Sequence, residues 1–346
     1  MMKSVRRFVR AAVPRRLRIQ TSLAVGEIVS GSVRRELARL AGGSKPIVIG
    51  PWLGEVGFEL LYWIPFVAWF TDTFRVNPDR LVVISRGGVE SWYRHLAGRY
   101  RDAFDYLSPS AFSFEHQQRT AELGEQKQTR PTAGERSLVE NVRRDLALED
   151  AGVLHPSAMY RILRQYWWGH ASVDWVYRHA RYRQLLPSPA WPDRRDRYVA
   201  VKFYFNDCFP ATIANRAFVA ETLSRLTRDD RVVSLSTGLQ LDDHHACEAE
   251  LDRVEKLRGT VEPRNNLDAQ TAIVAGARSF VGTYGGFAYL APFYGVPSTG
   301  IYSREEGFSR RHLELACSVF RKFADRPLLT VCNVETSPAS SPVLVQ

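Results

Sequence analysis

The sequence predicts an α/β protein of two Rossmann-like domains facing a cleft, and three observations lead there. The chain has 346 residues, about twice the length of a common domain. Short apolar runs alternate with helical stretches in both halves, the rhythm of parallel strands joined by crossover helices. Residues 185–197 combine three prolines with a charge run and read as a linker between the halves. Composition agrees: 45% hydrophobic and 24% charged residues exclude a disordered, collagen-like or mainly coiled-coil chain. The longest apolar stretch, residues 60–70, contains Pro65 and is about half the ~20 residues a spanning helix needs.

The N-terminal segment, residues 1–44, reads as a basic arm. The chain carries 47 basic and 37 acidic side chains, a net +10. Residues 1–40 hold ten basic groups and two acidic ones, so they carry +8 of that excess and leave +2 for the rest. A cation-rich arm on a nearly neutral body suits an anionic membrane surface better than specific nucleic-acid reading. Arg15, Arg16 and Arg18 interrupt it before an apolar signal region develops, so no export is expected. Four cysteines without Cys-x-x-Cys spacing read as reduced thiols of a cytoplasmic protein, peripheral to the membrane's inner face.

Residues 45–184 form the expected first domain. The run at 45–50 is a buried strand leaving through Gly50 into the loop 51–57. Phe58, Tyr62, Phe66 and Trp69 then recur at helical spacing despite Pro65. A second strand at 81–84 ends in Ser85-Arg86-Gly87-Gly88. Residues 108–136 turn polar and receive no fold, as a long surface excursion. Residues 158–182 are helical and aromatic.

Residues 198–333 form the expected second domain. Strands are placed at 198–205, 232–236, near 261, at 279–283 and at 296–302. Helices fall at 212–228, 267–277, 286–294 and 309–323, and such strands demand right-handed crossovers. Residues 334–346 are Ser/Pro-rich and expected to be disordered.

In open α/β sheets ligands bind beyond the carboxyl ends of the strands, which directs attention to the loops after Gly50, Phe205, Thr283 and Tyr302. The turn Thr283-Tyr284-Gly285-Gly286 lets backbone amides approach a phosphate at a helix start, where the dipole favours an anion. A tight turn without ligand competes with that reading. Lys202, in an otherwise apolar strand, calls for an anionic partner, either a ligand phosphate or an internal carboxylate. Asn206 and Asp207 suit sugar hydroxyls or an Asx turn. Glu305 could approach a ribose, or be a solvated turn charge. Arg86 faces the same cleft, or closes a structural turn. Asp242-Asp243-His244-His245 lacks the separated spacing of a metal site and reads as a polar loop.

Residues 279–303, SFVGTYGGFAYLAPFYGVPSTGIYS, resemble the nucleotide-sugar half of GT-B glycosyltransferases, with Gly295-Val296-Pro297 as the element that ends the helix. The opening IVIGPWLGEVGFE is similar to the acceptor-side loop of inverting heptosyltransferase-type enzymes, with Glu55 where that family usually has Asp. The resemblance implies transfer of a sugar from a nucleotide-sugar donor to a carbohydrate or lipid-linked acceptor, in surface polysaccharide or glycolipid assembly. Under it Glu55 is the general base, with Glu59 as its competitor. Gly54, Gly57 and Arg86 belong to the acceptor side. Lys202, Asn206, Thr283, Tyr284, Gly285, Gly286 and Glu305 belong to the donor side. The absence of an Asp-x-Asp triplet favours a reaction with neither metal nor cofactor. A pyruvyltransferase-like enzyme using phosphoenolpyruvate, and a noncatalytic adapter relying on its basic arm, are the alternatives.

Overall fold

The computed structural model describes residues 14–123, 127–191, 198–239, 241, 245–246, 253–257 and 261–336. The first half begins with helix α1 (Arg15–Ala41), β1 (Ile47–Ile49) and α2 (Ile64–Phe74). It continues through β2 (Leu81–Ser85), β3 (Arg99–Asp102), α3 (Pro109–Leu123), α4 (Ala133–Asp145), β4 (Gly152–Leu154) and α5 (Ser157–Trp167). The four strands are parallel in the order β3-β2-β1-β4. Every residue of β1 and β2 is buried, as expected of strands covered by helices on both faces.

The second half contains β5 (Tyr198–Lys202), β6 (Tyr204–Phe205), α6 (Ile213–Asp229), β7 (Arg231–Ser234), β8 (His245–Ala246) and β9 (Val254–Lys256). It closes with α7 (Asn266–Gly276), β10 (Ser279–Thr283), α8 (Gly286–Phe293), β11 (Ser298–Tyr302), α9 (Arg310–Phe320) and β12 (Leu329–Asn333). Its six-stranded parallel sheet runs β12-β11-β10-β5-β7-β9, while β6 and β8 pair antiparallel outside it. This is the doubly wound order, in which the winding reverses between β5 and β10 and opens a crevice beyond their carboxyl ends. The chain thus folds as two Rossmann-like halves, each built on a parallel sheet.

Several expectations need correction. Residues 15–41 of the basic arm form helix α1, which packs on the first half. Val33 and Leu37 bury into the core, Ser30 Oγ lies 2.9 Å from His179 Nε2, and Glu36 takes both Arg161 terminal nitrogens at 2.7 and 3.0 Å. The polar stretch 108–136 contains α3 and the start of α4, initiated by a capping box between Thr132 and Glu135. The strand at 198–205 breaks at Phe203, and the strand expected near 261 lies at Val254–Lys256. Residues 1–13, 192–197, the Asp242-Asp243-His244 cluster and 337–346 fall outside the described residues, as does Cys247.

Candidate active site

A cleft of about 650 Å³ opens between the halves. Its floor is built at the switch point of the second sheet. Lys202 ends β5, and its Nζ donates to Gln270 Oε1 at 2.6 Å while lying 3.7 Å from the centre of the Phe287 ring. Gln270 is itself held by Asn266, four residues back on α7, through a 2.9 Å bond between their carboxamides. These contacts, one of them with a cation–π face, hold the ammonium at the cleft.

The opposite wall is the loop after β1. Gly50 adopts φ +114°, and a Cβ there would stand 2.6 Å from the Ile84 carbonyl, so only glycine lets the chain turn this close to β2. Trp52 N then donates to Ile84 O at 2.9 Å. Leu53 N donates to Gln128 Oε1 at 3.0 Å, and Gln128 Nε2 donates to the Pro51 carbonyl at 2.8 Å. Glu55 follows as the exposed residue before a single helical turn (Val56–Phe58), a π-turn (Glu59–Trp63) and α2. Such π-turns commonly mark functional segments.

The anchor of this loop comes from the stretch expected to lack structure. Arg119 and Glu135 form a fully buried ion pair at 2.9 Å, and Glu135 also accepts from Gln128 at 2.7 Å. Burial pushes the Glu135 carboxyl up, but His155, Arg119 and the Thr132 amide outweigh it and hold it below the usual range. Only the fold exposes this role, because a buried polar network looks in sequence like a solvated one.

The two walls meet at the glycine pair. A Cβ on Gly286 would lie 2.8 Å from Gly57 N and 2.9 Å from Val56 Cβ, and one on Gly285 would lie 2.1 Å from the Tyr204 hydroxyl. Gly286 therefore serves close approach of two backbones across the cleft, a need not legible in the turn itself. The contact seats the Glu55 turn against the start of α8, where Gly285 provides no side-chain cap for the first amides. The dipole there favours an anion.

Of the predicted residues, Gly54, Glu55, Gly57, Arg86, Lys202, Asn206, Tyr284, Gly285 and Gly286 line this one cleft. Others are placed differently. Glu59 is completely buried behind it, accepting from Ser85 Oγ, Tyr93 OH and Arg86 Nη1, each at 2.6 Å. Burial raises its pKa, against the pull of Arg86 and both hydroxyls. It has no access to an acceptor and instead orients Arg86. Thr283 is also buried, and its hydroxyl clamps the backbone of Tyr204 by accepting from N at 3.0 Å and donating to O at 2.8 Å. Glu305 lies outside the cleft lining and pairs with Arg310 at 3.2 Å.

Asn206 reaches the cleft, but its side-chain oxygen accepts from Phe209 N at 2.8 Å, closing an Asx turn. Tyr284 is a buried wall residue, bonded to the Tyr289 hydroxyl and to Ser309 O. Gly87 and Gly88, at φ +73° and +81°, close a structural turn against the second half, where the Gly87 carbonyl accepts from Leu267 N and Asp268 N, both at 2.9 Å. Sequence reasoning missed Tyr204, Lys256, Gln270 and the pair Tyr62–His312, whose Tyr62 OH and His312 Nδ1 lie 2.6 Å apart across the halves. The Asn266/Gln270 spacing of four at a helix start was a readable signal. Among the described residues, no cluster of three or more His, Cys, Asp or Glu could hold a metal ion.

No protein-family model matches the chain, and no curated protein matches it in sequence. Solved structures resemble it at low identity. TibC, an iron-containing dodecameric glycosyltransferase of enterotoxigenic E. coli, is 13% identical over 75% of this chain, with a TM-score of 0.42. This chain spans 58% of TibC's length. The ADP-heptose lps heptosyltransferase II of E. coli is 14% identical, with 88% of this chain and 94% of that one covered and a TM-score of 0.45. A glycosyl transferase family 9 structure from Veillonella parvula is 10% identical, with 85% and 87% covered and a TM-score of 0.46. With TM-scores below 0.5, these likenesses carry no argument about chemistry, which rests on the cleft itself.

Proposed function

We propose that this chain is a glycosyltransferase that moves a sugar from a nucleoside diphosphate donor to a hydroxyl of a carbohydrate or lipid-linked acceptor, in surface polysaccharide or glycolipid assembly. One observation carries the reading: the Glu55 turn of the first half abuts the uncapped start of α8 in the second, with Lys202 on the floor between them. A carboxylate and an uncapped helix start thus share one cleft.

In this mechanism the acceptor hydroxyl gives its proton to the Glu55 carboxylate as its oxygen attacks the anomeric carbon. The bond from that carbon to the diphosphate oxygen breaks in the same displacement, which inverts the anomeric configuration. The departing negative charge is met by the α8 amides and the Lys202 ammonium. Arg86, held by Glu59, adds a cation on the acceptor side. No step requires a metal or a cofactor.

The test is a panel of nucleotide sugars incubated with purified protein, read as release of nucleoside diphosphate and paired with calorimetric binding of the nucleotides alone. Turnover of at least one donor is expected. Absence of both binding and turnover across the panel, or competition by phosphoenolpyruvate alone, would reject the assignment.

A further inference from the structure

We infer that the outer face of α1 is a docking surface for an anionic lipid bilayer. The helix has a committed inner side. Ser22, Gly26, Ser30, Val33 and Leu37 face α5 and the core, with Gly26 packed so tightly that a Cβ would stand 2.7 Å from the Gln165 side chain. At 3.6 residues per turn, Leu17, Val25 and Ile28 fall within an arc of about 80° on the opposite side, and Arg35 and Arg39 continue the same stripe. Leu17 is 52% exposed, Val25 45% and Ile28 72%.

The charge on this side comes from Arg35 and Arg39, which are exposed, and no ion pair among the described residues engages them. The two acids of the helix are both occupied: Glu27 pairs with Arg178 at 2.7 Å and Glu36 with Arg161 at 2.7 Å.

Exposed aliphatic side chains interleaved with arginines match a surface lying in the headgroup layer. No described helix is long and apolar enough to cross the membrane, so the contact is peripheral. A nucleic acid would satisfy the arginines but offers nothing to Leu17, Val25 and Ile28. Anionic lipid answers both. The surface does not depend on the chemistry of the cleft.

The experiment is sedimentation of the full chain with phosphatidylcholine vesicles, with and without about 30% phosphatidylglycerol. Binding is expected on the anionic vesicles and to fall with salt. Arg35→Gln/Arg39→Gln should lower the partition coefficient about 25-fold, from the typical contribution of a surface arginine. Ile28→Asp should lower it at least about fivefold, and both variants should keep the wild-type melting temperature because the altered side chains are exposed. Equal sedimentation with neutral and anionic vesicles overturns the inference. So does an Ile28→Asp variant that binds like wild type while duplex DNA competes, which assigns the face to nucleic acid. A concentration-dependent dimer that Ile28→Asp dissolves, without vesicle binding, assigns it to a second copy.

Discussion

Two glutamates four residues apart have opposite fates, and their surroundings decide which can act. Glu55 is exposed at the cleft, on a loop pinned by Gln128, whereas Glu59 is enclosed with three donors at 2.6 Å. Glu55→Gln keeps shape and polarity but cannot take a proton, so transfer should slow by at least about 10² while nucleotide affinity stays within about twofold. Steady-state rates and calorimetry on the same preparation check this, and unchanged turnover would remove Glu55 as base. Glu59→Gln acts on stability instead. It leaves the buried Arg86 guanidinium without its counter-charge, a loss of about 3–5 kcal/mol for breaking such a pair. Urea unfolding should show it directly, and a variant as stable as wild type would mean that the pair holds nothing in place. From sequence alone both glutamates offered a carboxylate near the same loop. Which one faces solvent depends on the π-turn that follows Phe58, and residue type does not reveal that turn.

At the scale of elements, glycine substitutions separate packing from propensity. Gly286 at the start of α8 meets Gly57 of the other half, and an added Cβ would lie 2.8 Å from a backbone nitrogen that cannot move aside cheaply. Gly286→Ala should lower stability by about 1–3 kcal/mol, as overpacking does, and reduce transfer at least about tenfold by shifting the Glu55 turn. Gly31, inside α1, has nothing within 4 Å of its would-be Cβ. Gly31→Ala should therefore raise stability by about 0.5–1 kcal/mol with transfer unchanged. Thermal melts of both variants beside their rates decide the matter: similar effects at the two sites would show that the cross-cleft contact has no consequence. The same contrast explains what was legible in sequence. Strands such as Ile47–Ile49 and Ser279–Thr283 are buried on both faces, so their apolar runs announce them. Helix α1 hides part of its inner side in Gly26 and Ser30, and α3 buries Arg119, so periodicity is weak there, whereas α4 buries Leu138, Val139 and Val142 at helical spacing behind the buried Glu135.

Across the whole molecule the halves share one continuous hydrophobic core, running from Val33 through Trp63 and Phe287 to Leu329. A buried histidine, His179, and a half-buried one, His312, sit at its seams. His179 packs beneath α1, and its Nδ1 lies 3.0 Å from the Trp175 carbonyl, which can only accept, so Nδ1 carries the proton and Nε2 accepts from Ser30. His312 joins the second half to Tyr62 of the first. Burial lowers both to about 4, helped by Arg178 and Arg34 around His179, where the Trp175 carbonyl and Glu27 oppose it, and by Lys127 near His312. An unfolded histidine titrates near 6.5. Between about pH 6.5 and 4 the unfolded chain therefore binds protons that the folded chain refuses, and stability must fall as the pH drops through that window. Each histidine contributes on the order of 3 kcal/mol when the shift is fully expressed. Glu59 and Asp102, whose carboxyls burial raises, titrate with the opposite sign, so the histidine effect must be isolated by difference. Urea midpoints of wild type and His179→Gln/His312→Gln, compared at pH 7.5 and 4.5, supply that difference. The double variant should lose less stability on acidification than wild type by several kcal/mol. Parallel losses in the two proteins would mean that acid unfolds the molecule through other groups, and that neither seam senses protons.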